Sequence, residues 1–172
     1  YKNLQFHVAM TSGDDLPVSS FIPGGRQEND TARFEKRGFA ASVPVWDPSK
    51  CTQCNQCATI CPHSVIRPFL LDAEETKKAP AAFASLPAVG DELKGLNFRI
   101  QASPLDCTGC EVCVNVCPTQ SLSMKPLSEV SKEQSDNWEF AMTLTNKGHL
   151  VDKTTVKGCA FQEPMLEFPG AC

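Results

Sequence analysis

Cys51-Thr52-Gln53-Cys54-Asn55-Gln56-Cys57-Ala58-Thr59-Ile60-Cys61-Pro62 and Cys107-Thr108-Gly109-Cys110-Glu111-Val112-Cys113-Val114-Asn115-Val116-Cys117-Pro118 decide the reading of this chain. Both runs have the spacing C-x2-C-x2-C-x3-C-P, and the second starts 56 positions after the first. Working outward, Pro48-Ser49-Lys50 and Pro104-Leu105-Asp106 precede the runs, and an apolar residue, Ile66 or Leu122, follows each. Two copies of one unit predict a small α+β domain with pseudo-twofold symmetry, two short hairpins and two short helices. A unit this small buries little surface alone, so its metal centres must supply much of the core.

The spacing carries specific chemistry. Disulfide scaffolds spread their cysteines through a small chain, whereas these crowd at two- and three-residue gaps. Structural zinc modules set two separated C-x2-C pairs around a loop, which this is not. Three thiolates at two-residue gaps wrap one iron–sulfur cubane, and in this pattern the fourth cysteine ligates the other cluster, from a predicted short helix pointing across the domain. The predicted ligand sets are therefore Cys51, Cys54, Cys57 and Cys117 for cluster 1, and Cys107, Cys110, Cys113 and Cys61 for cluster 2. With all eight thiols present, two [4Fe–4S] clusters are expected rather than a [3Fe–4S] centre. The proline after each fourth cysteine fixes φ and turns the chain away. Thr52, Thr108 and Gly109 are small enough to let backbone N–H groups approach the sulfurs.

Composition bounds the function. The 172 residues include 21% charged and 41% hydrophobic side chains, and the formal charge is −4. Two oxidised clusters with their thiolates add about −4 more. No Lys/Arg cluster suggests a nucleic-acid partner, and no apolar run reaches the ~18 residues of a membrane span. Lys50, Arg67 and Lys125 flank the runs and are candidates for a basic docking patch. Cys159 lacks ligand spacing and reads as a buried or free thiol. Cys172 reads as a terminal thiol or as the first ligand of another cluster. With Tyr1 at its start and Cys172 at its end, the chain is expected to be a piece of something longer rather than a processed product.

Period-two alternation predicts strands over Leu4–Met10, Phe39–Val45 and Trp138–Leu144, with a shorter one at Phe98–Ile100. Residues 12–37, rich in Gly, Pro and charge, predict an irregular arm. Asp72-Ala73-Glu74-Glu75 favours a helix, and Asn146–Gly148 a turn. The expected division is an N-terminal extension over 1–38, the cluster domain over 39–127 with an insert at 72–97, and a C-terminal extension over 128–172.

Several flanking segments carry a resemblance. Leu16-Pro17-Val18-Ser19, Phe34-Glu35-Lys36-Arg37-Gly38-Phe39-Ala40 and Val43-Pro44-Val45-Trp46-Asp47-Pro48 are similar to the approach to the ferredoxin domain of pyruvate:ferredoxin (flavodoxin) oxidoreductase. Cys61-Pro62-His63-Ser64-Val65-Ile66-Arg67-Pro68 resembles the same family's CPHxxIRP segment. The tail from Thr155 to Cys172 resembles the linker into its thiamine-binding domain, although Cys159 stands where a serine is common. The resemblance implies a bacterial 2[4Fe–4S] ferredoxin-like fold. It also implies an electron-transfer module of an enzyme that couples oxidative decarboxylation of a 2-oxoacid and coenzyme A acylation to reduction of ferredoxin or flavodoxin. Thiamine diphosphate, Mg2+ and a third [4Fe–4S] cluster would then lie in the remaining domains of a homodimeric parent, with Cys172 as a ligand of that third cluster. The expected location is cytoplasmic, or hydrogenosomal in an anaerobic protist. No acid/base or thiamine-binding constellation is present in the chain, so it is not expected to decarboxylate pyruvate alone. A standalone or subunit-type ferredoxin is the alternative.

Overall fold

The computed structural model of the chain describes residues 7, 10–24 and 36–161. Two antiparallel sheets organise it. Strand β1 (Ser42–Trp46) pairs with β5 (Leu122–Pro126), and β2 (Ile66–Leu71) pairs with β4 (Asn97–Ala102), which also takes the two-residue β3 (Leu86–Pro87). Between β1 and β2 lies helix α1 (Gln56–Ile60), and between β4 and β5 lies α3 (Val112–Val116). The chain thus runs strand–helix–strand twice. Its registers repeat with the sequence: Ile66 faces Ala102, and Leu122, displaced by 56 positions from the one, faces Trp46, displaced by 56 from the other. Neither sheet is a tight hairpin. The β1–β5 pair closes the ends of the unit, and the β2–β4 pair is joined across residues 72–96.

That connection is built locally. Helix α2 (Ala73–Lys78) starts at a capping box, with Glu75 N–H donating to Asp72 Oδ1 at 2.9 Å and Asp72 N–H to Glu75 Oε2 at 2.9 Å. Glu75 also accepts from Thr145 N–H at 3.1 Å and from Lys147 Nζ at 2.5 Å, tying the chain near 145 to this helix. Burial works to raise the Glu75 carboxyl, but Lys147 and the backbone donors outweigh it and hold the carboxyl below its ordinary value of 4.5. A lowered carboxylate contributes stability above its ordinary pKa and loses it as pH falls through the folded value. Glu75→Gln is therefore expected to cost about 1–2 kcal/mol at pH 7 and progressively less below pH 4.5, measured by thermal melting across pH 3–7.

The sheet β2–β4 is buried on both faces. Ile66, Leu70, Phe98, Ile100 and Ala102 join a core that includes Val43, Val65, Leu122 and five of the cysteines. The opposite face carries Arg67, Arg99 and Gln101, all at most 4% exposed. Helix α4 (Leu127–Ala141) covers it, burying Gln134, Asn137, Trp138 and Ala141. The strand expected over Trp138–Leu144 is therefore wrong. Leu127, Val130, Gln134, Trp138 and Ala141 recur at three- and four-residue steps, and this longer period overrides the local alternation. Arg99 donates from Nε and Nη2 to Gln101 Oε1 at 2.9 and 2.6 Å, and from Nη1 to Ala84 O at 2.6 Å. Its guanidinium lies 4.1 Å from the Phe83 ring centroid. Gln101 in turn donates to Gln134 Oε1 at 3.0 Å.

Other expectations fare unevenly. Strands at 42–46 and 97–102 match the alternation, but Phe39 lies outside β1 and is 58% exposed. The N-terminal strand read over 4–10 fails where it is described, because His7 is helical and Met10 lies in a turn; its other residues lie outside the described ones. At the expected turn, Gly148 N–H donates to Asn146 Oδ1 at 2.7 Å. No helix among the described residues is long and apolar enough to cross a membrane.

Candidate metal centres

Each cysteine run forms a loop that ends in one short helix. Backbone conformation repeats between the loops: Gln53, Asn55 and Ser64 have positive φ, and so do Gly109, Glu111 and Gln120, each 56 positions later. Asn55 and Glu111 stand in the left-handed region as the N-caps of α1 and α3. Left-handed residues reverse the chain sharply, which is what curls three thiols toward a common centre. The third cysteine of each run, Cys57 or Cys113, sits on the helix. The fourth, Cys61 or Cys117, is the extended C-cap just past it. Sequence reading placed the fourth cysteine on a helix; it is instead the residue that ends one.

The expected approach of N–H groups to sulfur is present. Gln53 N–H donates to Cys51 Sγ at 3.4 Å, and Gly109 N–H donates to Cys107 Sγ at 3.4 Å. At position 109 a side chain would be strained by φ of +72° and crowded by Ser42 O, which stands 3.0 Å from where a Cβ would lie. Gln53 plays the equivalent part in the first loop and holds itself there by two contacts, donating to Pro87 O at 2.7 Å and accepting from Val89 N–H at 2.9 Å.

The thiols influence one another across the halves. Burial pushes the Cys57 thiol up to about 12, reinforced by Cys51, Cys113, Cys117 and Cys54. Burial likewise pushes Cys113 up to about 12, reinforced by Cys107, Cys61 and Cys110. Cys107 is raised by burial and by Cys61 and Cys110. Cys117 differs. Burial opposes its ionisation, but donation from the Ser121 hydroxyl and N–H and from Thr119 brings it down to about 7. Several buried thiols that repel one another's charge need a cationic centre to ionise together, and an iron–sulfur core supplies one.

A cavity among Cys61, Cys107, Cys110 and Cys113 is walled by Val65, Ile66 and other residues. Cysteines from both runs therefore line one space, and four thiols are a donor set that suits an iron–sulfur cluster. Cys107 and Cys113 are 7% exposed, while Cys110 reaches the surface. No three His, Cys, Asp or Glu side chains among the described residues converge as closely as one metal ion requires.

Arg67 cannot serve a docking patch. It is 2% exposed, donates from Nε to Ser64 O at 3.0 Å, and lies 5.4 Å from the Trp138 ring centroid. Lys50 and Lys125 remain at the surface, Lys50 beside Asp47 at 3.6 Å. The Cys159 thiol donates to Val156 O at 3.1 Å and takes no part in either group of facing thiols. Cys172 lies outside the described residues.

A family described as a 4Fe-4S dicluster domain matches residues 50–121, and one described as a domain of unknown function matches residues 2–40. The chain is 48% identical over 160 residues to the mitochondrial pyruvate dehydrogenase [NADP(+)] of Euglena gracilis, covering 93% of this chain and 9% of that protein. It is 48% identical over 162 residues to the pyruvate:ferredoxin oxidoreductase of Moorella thermoacetica, covering 93% and 14%. With the pyruvate-flavodoxin oxidoreductase of Enterobacter agglomerans it shares 47% over 175 residues, covering 99% and 15%. It thus spans between 9% and 15% of the length of these relatives. The chain carries a 4Fe-4S dicluster domain and, over nearly all of its length, is homologous to one segment of the pyruvate:ferredoxin and pyruvate-flavodoxin oxidoreductases.

Proposed function

We propose that this chain is an electron-transfer module of a pyruvate:ferredoxin oxidoreductase, relaying single electrons through two [4Fe–4S] clusters ligated crosswise. Cluster 1 is held by Cys51, Cys54, Cys57 and Cys117, and cluster 2 by Cys107, Cys110, Cys113 and Cys61. The observation that carries the reading is the cavity faced by Cys61 together with Cys107, Cys110 and Cys113, since it joins the fourth thiol of one run to the first three of the other. The neighbours of Cys57, which include Cys51, Cys54 and Cys117, support the complementary set. The crossing makes the two halves one pseudo-twofold unit over 39–127, with 72–97 as an insert between them and extensions over 1–38 and 128–172.

The protein's own part in electron transfer is to hold the clusters still and to shape their surroundings. Left-handed loop residues fix the thiols, N–H donors from Gln53 and Gly109 stabilise charge on sulfur, and the Val43–Ile66–Leu122 core excludes water around them. Once bound, the clusters supply the one-electron chemistry. In the whole protein, the electrons derive from oxidative decarboxylation of pyruvate with thiamine diphosphate, Mg2+ and a third [4Fe–4S] cluster, and leave to ferredoxin or flavodoxin. The name of the Euglena relative extends the acceptors to NADP+. A homodimeric parent and a cytoplasmic or hydrogenosomal setting belong to the same reading.

The test is to add pyruvate and coenzyme A to the full-length protein without oxygen. Both clusters are expected to become reduced and then to be reoxidised by flavodoxin or ferredoxin, whereas the isolated chain should respond only to an added reductant. Cluster reduction of the isolated chain by pyruvate alone would place catalysis inside these residues and contradict the proposal.

A further inference from the structure

Although the two loops repeat in backbone, their sulfur environments differ at the fourth cysteine. Cys117 Sγ accepts from Ser121 N–H at 3.3 Å, has the Ser121 hydroxyl at 3.3 Å, and has the Thr119 hydroxyl farther off at 3.9 Å. Counting back 56 positions, Val65 stands for Ser121 and His63 for Thr119 beside Cys61. Among the described residues, no hydrogen bond reaches Cys61 Sγ. The donors that the loops share, Gln53 N–H and Gly109 N–H, cancel in the comparison. Fixed charge does not lean one way, because the buried Arg67 guanidinium acts on Cys61. Lys50 precedes Cys51, whereas the equivalent residue before Cys107 is Asp106, which is 1% exposed and paired with Lys36.

Building on the crossed ligation proposed above, we infer that the two clusters are held at different potentials, with the one closed by Cys117 the more easily reduced, and that Ser121 is the positioning residue that sets the gap. Reduction adds one negative charge to a cluster, and donors aimed at its sulfurs stabilise the reduced form more than the oxidised form. The Cys117 cluster has the Ser121 pair of donors in addition to the shared one. The Cys61 cluster has an apolar wall in their place, with Val65 at 2% exposure. Solvent at the exposed Cys110 and the Arg67 guanidinium work against this difference; water exchanges freely and is less well oriented than a hydroxyl and an N–H fixed on a residue that is 4% exposed, and Arg67 is drawn first to the buried Asp106 carboxylate. A single electron entering the pair therefore settles on the Cys117 cluster.

Redox titration of the full-length cluster-loaded protein, followed by EPR, tests this. Wild type should show two separated midpoints for these clusters. Ser121→Ala should lower the higher midpoint and narrow the gap, and Ser121→Thr, which keeps the hydroxyl, should retain it. Val65→Thr, nearly isosteric, should raise the lower midpoint and narrow the gap from the other side. An unchanged gap in both Ser121→Ala and Val65→Thr with full iron content would overturn the inference and leave the crossed ligation standing. If Ser121→Ala shifts the cluster that Cys107→Ala destroys, the ligand crossing itself is wrong.

Discussion

Cys117→Ala is expected to reproduce the spectrum of Cys51→Ala, and Cys61→Ala that of Cys107→Ala. Each substitution removes one thiolate of four, so the affected centre should be lost or reduced to a three-iron form while its neighbour keeps about four irons. In the reduced protein, the interaction between two S = 1/2 centres should disappear in all four variants. What distinguishes the proposal is the pairing. Cys117 lies in sequence beside Cys113, but it stands near enough to Cys57 to influence that thiol, as Cys113 also does, and Cys61 stands near Cys107 and Cys113. If Cys117→Ala instead matched Cys107→Ala, each run would enclose its own metal. The facing of Cys61 onto the second run would then have no ligand role.

Gly158→Ala should be the most damaging change that leaves every ligand in place. A Cβ there would stand 1.9 Å from Asp152 O and 2.6 Å from Asp152 C, closer than any real side chain approaches a backbone. Helix α5 (Val156–Cys159) is capped by Thr155, whose Oγ1 accepts from Gly158 N–H at 3.0 Å and donates to Asp152 O at 2.8 Å. Opening that turn would displace Lys157, whose carbonyl accepts from Asn55 Nδ2 at 2.8 Å. Asn55 is the left-handed residue that launches the helix bearing Cys57. The expected cost is about 3 kcal/mol in unfolding free energy. Iron should also leave the Cys51–Cys54–Cys57 centre to a chelator faster than it leaves the other. Uniform loss from both centres would mean that α5 does not support the first loop in particular.

Sequence alone is enough to propose the ligands, because thiolate spacing is a local property that a metal centre would impose within twelve residues. The duplication was equally visible, and the structure extends it to strand register and left-handed positions. Strands β1 and β4 followed from alternation because one of their faces meets the core. Helix α4 was misread because Trp138, Phe140, Met142 and Leu144 alternate by chance across the helix end. Residues 127–137, largely polar, offered only Leu127 and Val130 to reveal the longer period. Arg67 was misplaced for a related reason. A charged residue on a strand reads as solvent-facing, yet here Trp138 from a distant helix closes over it. Long-range coverage of this kind has no local signature. The asymmetry at Ser121 was legible in principle, since the two runs can be aligned by eye, but only the 3.3 Å contacts give it a meaning.

Iron and acid-labile sulfide determined on the oxygen-free, cluster-loaded chain, together with EPR after dithionite reduction, bears most directly on the two-cluster claim. About eight irons and about eight sulfides per chain, with signals from two interacting S = 1/2 centres, are expected. A colourless, EPR-silent protein holding zinc and no sulfide would contradict it.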